Sequence, residues 1–80
     1  MMYPKLSGAE IDVLYKLYGY ATKVLDLDFD DVPSKSGRDA LIQKGYARRV
    51  TGYHDNSKAW LLITPLGIDA YRHGIKTEWH

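Results

Sequence analysis

Leu41-Ile42-Gln43-Lys44-Gly45-Tyr46-Ala47-Arg48-Arg49-Val50, answered downstream by Lys58-Ala59-Trp60-Leu61-Leu62-Ile63-Thr64-Pro65, is the stretch on which the fold turns. Gly45 stands where a helix ends on a left-handed residue, and Tyr46 after it can pack back on Leu41 as in a Schellman ending. Tyr46 to Val50 and Lys58 to Ile63 are rich in aromatic and branched side chains, which predicts two strands. Residues 51–57 between them are turn formers, too many for a tight two-residue turn, so a hairpin with a long loop is expected. Thr64 caps a final helix with Pro65 at its first position, and Ile63 faces Ile68 as a hydrophobic staple. Ile68, Tyr71 and Leu66 are expected to face inward, Gly74 to stop the helix, and residues 75–80 to form a short tail.

Upstream of Leu41 the pattern is helical from Ser34 or Ser36 to Lys44. Ser36 with Asp39 makes an acceptable cap with a carboxylate in the first turn, where the helix dipole favours it. Ala40, Leu41 and Ile42 supply core contacts, while Lys35, Ser36, Asp39 and Gln43 gather on the opposite side of the wheel. Residues 20–33 admit two readings: a short strand at Leu27-Asp28-Phe29-Asp30, or a helical turn or two from Thr22 to Leu27. Pro33 closes that segment. A first helix opens on Ser7 and Glu10, an S-x-x-E capping box, with Leu6 and Ile11 at staple spacing. Ile11, Leu14, Tyr15 and Tyr18 give it an apolar face, and Gly19 is expected to end it.

Eighty residues hold one domain, 1–80, of modest stability, since a chain this short buries only about 60% of its unfolded surface. An apolar fraction of 45% and a charged fraction of 26% are those of a globular chain. The absence of cysteine removes disulfides, and no apolar run reaches signal-peptide or membrane-span length, so a cytoplasmic, non-membrane protein is expected. Charge is divided along the chain: residues 9–31 carry six acids against two bases, and residues 32–60 carry six bases against two acids. Such a split suits a surface facing a polyanion, unless the two sections neutralise each other in the fold.

The Leu41-to-Tyr46 stretch, continued through Arg49, Asp55 and Leu62-Ile63-Thr64-Pro65-Leu66-Gly67, resembles the winged-helix superfamily. It looks most like regulators of the multiple-antibiotic-resistance (MarR-like) type. Leu41, Lys44, Gly45, Tyr46, Arg49, Asp55, Thr64 and Gly67 occupy that family's places, across roughly residues 36–74. The resemblance implies a small α+β winged helix-turn-helix domain of about three helices with a C-terminal-side hairpin. It makes residues 34–44 the recognition helix and 46–63 the wing. Two departures stand out. Asn56 and Ser57 follow Asp55 where a basic residue is usual, and residues 20–33 offer no clear counterpart of the bracing helix. Short chains of this pattern are frequent in bacteriophages and prophages.

In such a module the recognition helix enters the major groove. Lys35, Ser36, Asp39 and Gln43 would face base edges; Gln43 suits adenine, and Asp39 reads a cytosine amino group or caps the helix. Arg38, Lys44, Arg48, Arg49 and Lys58 would contact phosphates, although Arg49 and Lys58 also fit simple cross-strand charge spacing. Tyr53, His54 and Asn56 in the wing would lie along the backbone or in the minor groove. A homodimer on double-stranded DNA is expected, because one unit of this size reads few bases. The alternative is a protein–protein interaction module working through the acidic segment 26–31 or the tail around Trp79. Three histidines without cysteine, spaced 19 and 7 residues apart, make a poor metal set. Asp26, Asp28 and Asp30 open like a calcium loop but lack its glycine and final glutamate. With no phosphate loop or nucleophile elbow, neither an enzyme nor a cofactor is expected.

Overall fold

The computed structural model describes residues 5–52 and 58–77. The elements are α1 (Gly8–Thr22), β1 (Leu27–Asp28), α2 (Lys35–Gln43), β2 (Ala47–Thr51), β3 (Ala59–Ile63) and α3 (Pro65–Thr77). The result is a small α+β domain of three helices and one antiparallel sheet in the order β1-β3-β2.

Helix α1 starts as its capping box dictates. The Ser7 N–H donates to Glu10 Oε1 at 2.9 Å and the Glu10 N–H to Ser7 Oγ at 3.2 Å. It does not end at Gly19. One glycine costs a helix only about 1 kcal/mol, and Tyr20, Ala21 and Thr22 carry the helix on for another three residues. The stop comes at Val24, whose N–H reaches the Ala21 carbonyl at 3.1 Å while Leu25 N–H reaches Tyr20 at 2.9 Å. This is a Schellman ending with valine in the left-handed place, at φ +56°. A β-branched residue is strained there, by about 1–2 kcal/mol. Val24→Gly should therefore raise stability by about 1 kcal/mol, seen as a thermal midpoint about 5 °C higher.

The buried stripe of α1 is Val13, Leu14 and Leu17. Tyr15, expected inside, is 66% exposed. The stripe is centred on the side that meets Leu41 and Leu61, which turns Tyr15 outward and leaves Tyr18 at the margin. There Tyr18 stacks on Tyr71 of α3 with centroids 4.0 Å apart, and Tyr15 meets the same ring edge-on at 6.1 Å.

Of the two readings of residues 20–33, the strand is found. Leu27 pairs with Leu61 and Asp28 with Trp60, and a loop then leads to Ser34. A single helix, α2, separates β1 from β2. Its N-cap is Ser34, whose Oγ accepts the Gly37 N–H at 3.0 Å; the Ser36 and Ser34 hydroxyls lie 3.1 Å apart. At Gly37 the helix crosses α1 so closely that a Cβ would stand 2.6 Å from the Ala9 carbonyl oxygen.

The end of α2 is the predicted Schellman motif. Gly45 lies at φ +83°, its N–H bonded to Ile42 and that of Tyr46 to Leu41. The hairpin follows, Arg48 facing Leu62 and Arg49 facing Leu61. Thr64 caps α3 by accepting the Gly67 N–H at 3.0 Å, and its hydroxyl donates to the Gly45 carbonyl at 2.6 Å. Helix α3 runs through Gly74 to Thr77 rather than stopping at the glycine. Ala70 is fully buried and Tyr71, expected inside, packs half-buried against the core, whereas Leu66, also expected inside, is exposed. Leu14, Leu17, Leu27, Leu41 and Leu61 are fully buried and form the centre of the core. The tail beyond Thr77, Trp79 included, lies outside the described residues.

Candidate nucleic-acid interface

Helix α2 turns Arg38 and Leu41 inward, which leaves Lys35, Ser36, Asp39 and Gln43 on its exposed side. That polar face is the one the sequence predicted. It leads through Lys44 and Gly45 directly into β2.

Arg38 departs from its expected place. Expected at a phosphate, it is 8% exposed. Its Nη1 donates to the Phe29 carbonyl at 3.0 Å and lies 3.4 Å from Asp30 Oδ1, while Nε donates to Asp39 Oδ1 at 2.9 Å. The guanidinium also lies over the Phe29 ring, 3.9 Å from its centroid. Burial demands this compensation, and it commits Nε and Nη1 to partners within the fold rather than to a phosphate. Asp39 therefore neither caps the helix nor stands as an isolated carboxylate; it holds Arg38.

Lys44 is likewise engaged. Its Nζ lies 2.6 Å from Oε2 of Glu10, a carboxylate 6% exposed. Burial pushes the Glu10 carboxyl up, but the bonds from Lys44 and Ser7 and the Lys44 charge outweigh it and hold the group below its ordinary range. Lys58 pairs with Asp28 at 3.2 Å and lies over the Trp60 ring. The Asp30 N–H, donating to Asp28, and then the Lys58 contact keep the Asp28 carboxyl low. Lys16 meets Asp31 at 3.5 Å. Three of the six bases of residues 32–60, Arg38, Lys44 and Lys58, thus pair with acids of residues 9–31, so the two oppositely charged sections neutralise one another in part, the alternative their arrangement left open.

Arg48 and Arg49 are exposed, and neither forms an ion pair with a described residue. Adjacent strand residues point to opposite faces. Arg49 shares the helix-side face with Leu61 and Leu27, and its guanidinium lies 5.4 Å from the Phe29 ring. Phe29 is thereby flanked by Arg38 of α2 and Arg49 of β2. Arg48 shares the outer face with Leu62. Lys35, Ser36 and Gln43 are exposed on α2, Arg49 lies on the helix-side face of the sheet beside Phe29, and Arg48 is on the opposite face. Tyr53, His54 and Asn56 lie outside the described residues.

Sequence reasoning missed Phe29 as the bridge and Glu10 as the partner of Lys44. Only the capping box marked Glu10, and nothing local marked its second bond. Among the described residues no group of three or more metal-ligating side chains lies together, and no helix is long and apolar enough to cross a membrane. No family model matches the chain, nor does any curated protein or solved structure.

Proposed function

We propose that the chain is a winged-helix module that binds duplex DNA, as a regulator of transcription would, through a smaller footprint than its basic section suggests. Helix α2 is its recognition helix and the β2–β3 hairpin its wing. One observation carries the reading: Arg49 of the hairpin lies exposed on the sheet face that α2 packs beside, against the same Phe29 ring that receives Arg38 of α2, while that helix keeps Lys35, Ser36 and Gln43 exposed. A convex polar helix with a flanking guanidinium matches the major groove and its adjacent phosphates. Ser36 and Gln43 supply hydrogen bonds to base edges; Lys35 and Arg49 supply the phosphate contacts. The β1-β3-β2 order and the helix running into the hairpin agree with the resemblance, whereas the single helix between β1 and β2 gives α1 the bracing role.

Fluorescence anisotropy of a mixed duplex across a salt series tests this. With two phosphate contacts per chain, the slope of log K against log salt should be about −2, against about −5 for the whole basic section. Lys35→Ala with Arg49→Ala should weaken binding at least tenfold and flatten the slope, while Gln43→Ala should reduce discrimination between sequences. Absence of binding at low salt would leave the second reading, a protein-interaction module. That reading is favoured by the exposed apolar corner of Val24 and Leu25, not by segment 26–31, where Asp28, Asp30 and Asp31 are paired with bases.

A further inference from the structure

Arg48 has no part in the surface just described, and the edge of the sheet on which it stands accounts for it. The order β1-β3-β2 leaves β2 with a neighbour on one side only. Two bonds fix the direction of its backbone groups. The Phe29 N–H donates to the Ala59 carbonyl at 3.1 Å, so Ala59 faces β1; the Thr64 N–H donates to the Tyr46 carbonyl at 3.1 Å, so Thr64 faces the β2 side. Successive residues of an antiparallel strand alternate in this respect, which makes Trp60 and Leu62 the hydrogen-bonded partners of Val50 and Arg48. The N–H and C=O of Arg49 and Thr51 then point away from β3, where none is bonded to the backbone of a described residue. Ala47 is buried, so the open run begins at Arg48; Arg48, Arg49 and Thr51 are exposed. The register runs from Ala47 to Thr51 without a bulge and the strand holds no proline, so charge is its only guard against further pairing. Two arginines and no acid repel like charge and admit its opposite.

We infer that the β2 edge receives an extended acidic segment of another protein, added antiparallel as a fourth strand. Arg49 and Thr51 offer it their backbone N–H and C=O groups, and side chains select its sequence. Arg48 and Val50, whose own backbone groups turn to β3, become the non-hydrogen-bonded sites of the new pair, where side chains approach most closely. An acid opposite Arg48 forms an ion pair, and an apolar residue opposite Val50 covers that half-buried side chain. In the antiparallel direction the segment reads apolar residue, any residue, acid. Charge also chooses between occupants: two copies of this chain joined at the same edge would gather four arginines at one seam with no acid between them. Arg49 keeps its place beside the Phe29 ring on the helix-side face, so Arg48 is the side chain that reads the partner. This docking does not depend on DNA binding, since Lys35, Ser36 and Gln43 on α2 take no part in it.

The probe is a synthetic peptide of about seven residues with valine, threonine and glutamate at its centre, in that order, titrated into the isotope-labelled chain and followed by nuclear magnetic resonance. The expected result is saturable binding, with the largest amide shifts at Arg49 and Thr51, both downfield as each N–H gains an acceptor. Lysine in place of the peptide's glutamate, or Arg48→Glu in the chain, should each weaken binding about fivefold, and the two together should restore it with the signs reversed. If Arg48→Glu disturbs the hairpin, Arg48→Ala carries the same test with a smaller loss. N-methylation of the peptide's threonine, which faces Arg49, leaves every charge in place and should still weaken binding at least tenfold. Unmoved Arg49 and Thr51 amides at millimolar peptide, an N-methylated peptide that binds as well as its parent, or charge changes that do not compensate would each overturn the docking edge. Any of these leaves the DNA reading intact, since that reading is tested by salt-dependent binding at Lys35 and Arg49.

Discussion

Gly67→Ala is expected to remove roughly a quarter or more of the folding stability of this domain. A Cβ at this position would run into the Tyr46 carbonyl oxygen and lie 2.9 Å from an Ile63 side-chain carbon. The carbonyl cannot step aside, because it accepts the Thr64 N–H at 3.1 Å and belongs to the turn that ends α2. Helix α3 must instead move by about 1 Å, pulling Thr64 Oγ1 from the Gly45 carbonyl and Ala70 from the core. A displacement of that size against backbone belongs at or beyond the top of the overpacking range, about 3 kcal/mol or more. An 80-residue domain holds only about 4–12 kcal/mol in all. Urea denaturation followed by circular dichroism measures the loss. Gly19→Ala is its control: nothing lies within 4 Å of the added carbon in mid-helix, so stability should rise by about 0.5–1 kcal/mol. A Gly67→Ala chain as stable as its parent would mean that α3 does not start against Tyr46.

Lys44→Met is expected to cost about 2 kcal/mol at neutral pH, by stranding the buried Glu10 carboxylate without its ammonium partner. The pH dependence identifies the cause. In the parent, Glu10 titrates below its ordinary range, so it contributes stability above the unfolded pKa that is lost as pH falls through the folded one. In the variant, burial acts with less opposition and that contribution is reduced. The gap between parent and variant should be widest near neutrality and shrink as acid protonates Glu10. Chemical denaturation at several pH values measures it. A gap that does not change with pH would show that Lys44 acts through packing of its stem alone.

Local rules made much of this fold readable. Caps and stops satisfy backbone groups within four residues, so Ser7 with Glu10, Gly45 with Tyr46, and Thr64 with Pro65 could be recognised from spacing alone. The hairpin strands followed from composition, each within one residue of its observed limits. Gly19 and Gly74 misled because a glycine stops a helix only where the chain needs a left-handed residue; at the end of α1 that need falls on Val24, which no propensity would choose. Burial depends on which side the other elements occupy, so the outward turn of Tyr15 and Leu66 could not be read from either helix. The candidate site was legible for Lys35, Ser36 and Gln43, whose exposure follows from the helical wheel. Arg38, Lys44 and Lys58 looked like ligand-binding cations because, Asp39 beside Arg38 apart, their acidic partners stand between 8 and 34 residues away. Charge counted along a chain says nothing about which charges meet.

The place of β3 between β1 and β2 governs the order in which this protein can be made. Synthesis delivers both outer strands before the central one, so neither Leu27 nor Arg49 finds its neighbour until Leu61 has left the ribosome. Until then the apolar stripe of α1 can pack on α2 but has no sheet to settle on, and the nascent chain must carry that part of it uncovered. Any truncation ahead of Ala59 therefore removes the seam that joins both halves.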